Sequence, residues 1–176
     1  MPSAIRSVLL LALVLSAGLP ALTLPARGAP AGAHQKDKGT GLPVPRFVTL
    51  RSAEVNARSG PGVRYPVEWV FLRKEMPVEI TAEFDTWRRI RDWEGSEGWV
   101  HQSMLSGKRA VVITGDVRPL RRDPNATASV VARAQPGAMG WLGKCQGGWC
   151  EVKIKGYRGW LQRNEFWGVY ADERIE

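Results

Sequence analysis

The sequence predicts an all-β fold: two small modules, barrels or sandwiches, in tandem behind an N-terminal signal segment. Three observations carry this expectation. First, the chain repeats itself. VNARSGPG at 55–62 matches VRPLRRDPN at 117–125 through Arg58/Arg121 and Pro61/Pro124, an offset of 63. FDTWRRI at 84–90 matches QGGWCEV at 146–152 through Trp87/Trp149 and Ile90/Val152, an offset of 62. GWVHQSML at 98–105 matches GWLQRNEF at 159–166, an offset of 61. The drift by one residue per segment is what single-residue changes in loops produce. Second, the 176 residues hold 19 glycines and 12 prolines. They divide the chain into short runs and leave no long period of helical spacing. Third, 44% hydrophobic and 24% charged residues place the chain among globular proteins and not disordered ones.

The N-terminus has the order of a secretory signal. One positive charge, Arg6, precedes the apolar run SVLLLALVLSAGLPALTL at 7–24, and small residues lead to Ala-Gly-Ala at 31–33. Gly18 and Pro20 interrupt the run, which is short for a membrane span. Cleavage is expected after Ala33, and a membrane location only if the segment is retained. Removing Arg6 and Arg27 takes the formal charge from +8 to +6, 23 basic against 17 acidic residues. Residues 34–46, HQKDKGTGLPVPR, read as a flexible leader. Two modules follow, 47–110 and 111–171, and a tail at 172–176.

Within the first module, strands are expected at PVEWVFL (66–72), MPVEITAEF (76–84), WRRIRDW (87–93) and GWVHQ (98–102). The second module gives SVVARA, AMGWLGKC, WCEVKI and GWLQR. Turns fall at WEGSEG and KGYRG. Helix is confined to one turn each at HQSML and QRNEF. A module of about 60 residues buries little surface alone, so tryptophan and tandem packing are expected to support it.

NARSGPG, a strand pair reaching W-x-x-[IV], and then G-x-x-GWV resemble the bacterial Src-homology-3 family, in its periplasmic branch. The resemblance is strongest over 48–115. The second module resembles a degenerate copy, with RPLRRDPN in place of NARSGPG. Together they cover about three quarters of the chain. What the resemblance implies is a pair of SH3-like barrels that bind and do not catalyse, in a secreted or periplasmic protein. The implied partner is peptidoglycan or its peptides. The alternative is docking to an envelope protein through a peptide groove.

The residues themselves favour no enzyme. Two histidines are present, His34 in the leader and His101 directly after GWV. No G-x-S-x-G, Walker loop or HExxH occurs. The acids of the first module alternate along strands or sit in turns, as on a solvated face. No cofactor and no metal are expected. The basic charge suits nucleic acid, but an exported chain argues against that partner.

Binding residues follow from strand parity together with the resemblance. Trp87 and Trp149 each lie three residues before a core-type Ile90 or Val152, and residues three apart face opposite ways. In the eukaryotic members of the resembled fold the tryptophan at this position lines the peptide groove, and Tyr65 falls in the loop that would flank it. Arg89, Arg91 and Trp93 share the parity of Trp87, which predicts an aromatic, basic face suited to carboxylates or phosphates.

Cys145 and Cys150 are the only cysteines. If Gly147-Gly148 is a two-residue turn with both glycines left-handed, Cys145 lies opposite Cys150 in a non-hydrogen-bonded pair. A metal would need two further ligands, and a redox pair would normally be C-x-x-C. An oxidising compartment favours a disulfide, stabilising by roughly 2 kcal/mol for so short a loop. The repeat aligns these cysteines with Glu83 and Arg88, which predicts an ion pair in the same cross-strand position, at the barrel rim.

Overall fold

The computed structural model describes residues 39–176; residues 1–33, expected as a signal segment, and residues 34–38 of the leader lie outside them. Strands dominate the described residues. The first seven are β1 (Arg46–Leu50), β2 (Val55–Arg58), β3 (Val67–Phe71), β4 (Pro77–Phe84), β5 (Trp87–Arg91), β6 (Glu97–His101) and β7 (Leu105–Ser106). The next seven are β8 (Ala110–Ile113), β9 (Arg118–Arg121), β10 (Val130–Ala134), β11 (Met139–Gln146), β12 (Trp149–Ile154), β13 (Tyr157–Gln162) and β14 (Phe166–Trp167). One 3-10 turn follows β6 at Gln102–Met104 and another follows β13 at Arg163–Glu165. Both fall where the sequence predicts a helical turn.

Each set of seven forms one antiparallel sheet. The first runs β3-β2-β6-β5-β4-β1-β7 and the second β10-β9-β13-β12-β11-β8-β14. The two orders correspond strand for strand, so the sequence repeat is a structural repeat. Each curled sheet closes on its own core. Leu50, Val55, Val78, Ile80, Ile90 and Val100 fill the first. Val111, Ile113, Leu120, Val152, Ile154 and Leu161 fill the second. Alternation is clean where one face meets water: in β5, Arg88 and Ile90 are buried while Arg89 and Arg91 are exposed. It vanishes in β8, where all four residues are buried.

The glycine of each GW pair permits close strand approach. A Cβ on Gly98 would lie 2.7 Å from the Ala57 Cβ, and one on Gly159 would lie 2.7 Å from the Arg121 carbonyl oxygen. Gly98→Ala is therefore expected to lower stability by about 1–3 kcal/mol through overpacking, read as a shift in the urea midpoint at unchanged slope.

The barrels meet through the outer face of β1 and β4. Phe47 pairs with Glu79 across these strands, so both side chains leave the core. Trp167 meets the Phe47 ring edge-on at 4.8 Å, and Tyr170 lies against it at 4.6 Å. The Tyr170 hydroxyl donates to Glu79 at 2.7 Å. Burial, that hydrogen bond and the nearby carboxylate push the Tyr170 hydroxyl far above the usual tyrosine range. Met139 of β11 packs against the first core. The link from β7 to β8 is only residues 107–109. Arg109 is fixed there by donating to the Gly168 carbonyl at 2.8 Å and to Glu173.

The leader departs from expectation over its described part. Val44 is buried in the first core, and the Thr40 N–H and hydroxyl both donate to Glu83. The tail at 172–176 is tied as well. Glu173 pairs with Arg109, and the Ile175 carbonyl accepts from the Cys145 N–H at 2.9 Å.

Candidate ligand-binding face

The β11–β12 hairpin has the predicted register. Gln146 lies opposite Trp149, and Cys145 opposite Cys150. The cysteines form a disulfide with Cα atoms 4.0 Å apart. The turn differs in one respect: Gly147 is left-handed at φ 56°, while Gly148 lies outside that region. In the first barrel the same register pairs Glu83 with Arg88. The Arg88 Nε donates to a Glu83 carboxylate oxygen at 3.1 Å. The predicted ion pair is present, but its predicted place at the rim is not. The Glu83 side chain is 0% exposed and that of Arg88 is 3% exposed. Both lie on the core side, as does the fully buried Cys150. Burial is possible because every charge has partners. Arg88 also donates to the Asp85 and Trp87 carbonyls and to the Gln102 side chain. Glu83 also receives Arg46 and Thr40. Burial raises the Glu83 carboxyl, but the hydrogen bonds from Arg46 and Thr40 and the Arg46 charge outweigh it and hold it below the ordinary value.

Parity at Trp87 works as expected, since Trp87 faces away from the buried Ile90 and Arg88. Register then assembles a row around it. Phe84 lies across on β4 and His101 across on β6, with the His101 ring edge-on to the indole at 5.6 Å. Phe84 is 59% exposed. His101 is a capping residue: its Nδ1 accepts from the Ser103 N–H at 3.4 Å and lies 2.8 Å from the Ser103 hydroxyl. One step along the sheet, Arg89 lies opposite Trp99, and Trp99 opposite Arg58. Arg58 donates to the Tyr65 carbonyl at 2.7 Å and to the Val63 carbonyl at 3.2 Å, and so ties the 59–66 loop to this face. The Tyr65 ring lies on the backbone of Gly60, where a Cβ would come within 2.6 Å of it. That contact explains the first glycine in NARSGPG.

The structure thus brings Trp87, Arg89 and Arg91 onto one face and links Tyr65 to it through Arg58. Trp93 does not belong there. The strand ends at Arg91, and Asp92 closes a turn by accepting from the Glu94 and Ser96 N–H groups. Trp93 lies within that turn and packs against the first core. The face is also less basic than its sequence suggests. Arg89 pairs with Glu97 at 2.5 Å and Arg91 with Glu79 at 2.5 Å. Arg91 and Glu79 belong to the end of the face where Tyr170 packs. Trp149 stands on the second barrel, half-buried, opposite Gln162 and Gln146.

Neither Trp99 nor Phe84 is among the binding residues expected from the sequence. The signal for Trp99 was available: Gly98 and Val100 on either side are buried, so alternation turns Trp99 outward. Its counterpart Trp160 is buried, with Lys144 over its ring at 5.9 Å. The loop of the second barrel keeps the Arg58 function, since Arg121 donates to the Ala128 carbonyl at 2.9 Å. Ala128 stands where the first barrel has Tyr65, so the aromatic wall is missing. Among the described residues no group of three or more His, Cys, Asp or Glu side chains is placed to hold a metal.

A family model described as bacterial SH3 domain matches the chain twice, over residues 51–107 and 115–168. No curated protein matches it. Among solved structures, the chain is similar to NlpC1 from Trichomonas vaginalis, with 11% identity and a TM-score of 0.33. It is similar to NlpC2 from the same organism, with 11% identity and a TM-score of 0.34. The alignments cover 71% and 73% of this chain but 46% and 50% of those chains, so it spans about half their length.

Proposed function

The chain belongs to the bacterial SH3 domain family, and we propose that it is a non-catalytic binding module of the cell envelope. In this reading it is exported by residues 1–33 and recognises peptidoglycan or its peptides through the outer face of the first barrel. The observation that carries the reading is the row Phe84–Trp87–His101, continued by Arg89, Trp99 and the Tyr65 loop. Aromatic side chains held by register offer apolar area at low entropic cost, as binding surfaces require. Arg89 is 49% exposed and can exchange its half-buried Glu97 partner for a ligand carboxylate. The second barrel, without a counterpart to Tyr65, supports the first.

A docking role for an envelope protein is favoured by a different feature. The edge strand β3 exposes Val67, Trp69 and Val70 at 41%, 53% and 46%. An exposed apolar edge can accept an added strand. Sedimentation with purified sacculi separates the two. The protein is expected to pellet with sacculi, and Trp87→Ala to reduce the bound fraction at least fivefold. Failure of the parent protein to pellet sinks wall binding. Unchanged pelleting of the variant removes Trp87 from the site.

A further inference from the structure

All three arginines on β5 are paired with neighbouring acids, but the chain holds unpaired positive charge elsewhere. Two adjoining cavities, of about 330 and 360 Å3, open where the barrels meet, and Glu75 and Trp141 line both. Lys153 and Lys155 line the first. Arg51, Lys74 and Lys108 line the second. Among the described residues none of these five cations forms an ion pair. Glu75 is the one acid in the lining. The Lys108 ammonium already stands over the Trp141 indole, 5.5 Å from its centre. Both barrels contribute, so neither holds the site alone.

Glu75 adds a second observation. It occupies a left-handed position at φ 65°, with its N–H donating to the Leu50 carbonyl at 2.9 Å. The corresponding turn of the second barrel has Gly137 at φ 75°, donating to Ile113 at 2.8 Å. Glycine fits this conformation without strain, and glutamate does not. The first barrel therefore accepts strain at a residue that lines the basic cleft, a pattern that clusters at binding sites.

We propose that this cleft binds an acidic saccharide. Its carboxylate or phosphate is held by the lysines and Arg51, a sugar face lies on Trp141, and a hydroxyl donates to Glu75. Anion binding uses the unpaired cations. The indole supplies a flat apolar plate, and Glu75 supplies the acceptor that a purely anionic ligand would not need. The joined volume suits a small ligand, since such sites span roughly 300–1,000 Å3. The site is separate from the Trp87 face and does not depend on it.

Calorimetric titration of the full chain tests this with defined probes. Tetragalacturonate and glucose 6-phosphate carry the two kinds of acid, cellotetraose is neutral, and tetraglutamate is acidic without a sugar. At least one acidic sugar is expected to bind, and to weaken steeply with salt, because exposed charges are screened within about 10 Å at 0.1 M. Whichever of the two binds more tightly identifies the acid. Lys153→Gln/Lys155→Gln, at exposed positions, is expected to weaken it at least tenfold. Trp141→Ala should weaken it fivefold and Trp141→Phe restore most of that, while Trp87→Ala changes nothing. The proposal is overturned if neither acidic sugar binds, or if tetraglutamate binds as tightly as tetragalacturonate. It is equally overturned if binding survives the double lysine variant.

Discussion

Replacing Glu83 with alanine is expected to lower the stability of the protein by roughly 3–5 kcal/mol, the usual result of removing one partner from a buried ion pair. The loss arises from what remains. Arg88, 3% exposed, keeps its hydrogen bonds to the Asp85 and Trp87 carbonyls and to Gln102 but loses the one carboxylate that pairs with it among the described residues. Arg46 and Thr40 lose their common acceptor, so residues 40–46 detach together. Thermal denaturation reads the first effect as a fall of about 10 °C, and amide exchange over 40–46 reads the second. Acid should mimic the change. The Glu83 carboxyl is held below its ordinary value of 4.5 in the folded state. Its contribution is therefore complete above that value and disappears as pH falls through the lower, folded one. Glu173, likewise held low by Arg109 despite burial, contributes in the same direction. Glu83→Gln is expected to flatten the acid limb without abolishing it. Glu83→Cys/Arg88→Cys should form a disulfide, because the second barrel builds one at this register, yet leave 40–46 detached. Two free thiols in that variant would show that the two barrels are not interchangeable here.

The second large effect is expected at Phe47. Truncation to alanine should cost about 3–5 kcal/mol, as for large core aromatics, although Phe47 is not in either core. It is 7% exposed because Trp167 and Tyr170 cover it. The Arg109 guanidinium stands 5.6 Å from its ring centre. Without that ring the Tyr170–Glu79 hydrogen bond loses its apolar cover. Calorimetry is expected to resolve one transition in the parent and two in Phe47→Ala, with each barrel unfolding by itself. A single transition at an unchanged temperature would mean that the barrels are coupled elsewhere.

What the sequence made legible was local or repeated. The repeat, eight of the strands, the two helical turns and the cysteine pairing all follow from spacing that a neighbouring residue or the other copy supplies. β1 and β8 were missed because both of their faces are covered. Arg46–Leu50 and Ala110–Ile113 show no polar alternation to detect. The rim assignment of Glu83–Arg88 failed because its burial rests on Gln102 and Thr40, which spacing does not bring together. Trp93 failed because parity was carried past the end of a strand. The basic face was overstated because Arg89 and Arg91 find their acids on β6 and β4, a matter of register and not of order along the chain. The cleft at Trp141 was invisible because it forms only where the two repeats meet.

The three-residue connection between β7 and β8, pinned at Arg109, has a further consequence. It makes the pair of barrels a ruler. With a flexible linker, a second site would find its ligand across a wide range of spacings, and avidity would fall smoothly with distance. Here the reach of one barrel relative to the other is fixed before any ligand arrives. A polymer whose repeat matches the distance between the Trp87 face and the inter-barrel cleft can engage both with little ordering entropy left to lose. One whose repeat does not match is held at a single site, however strong its individual contacts.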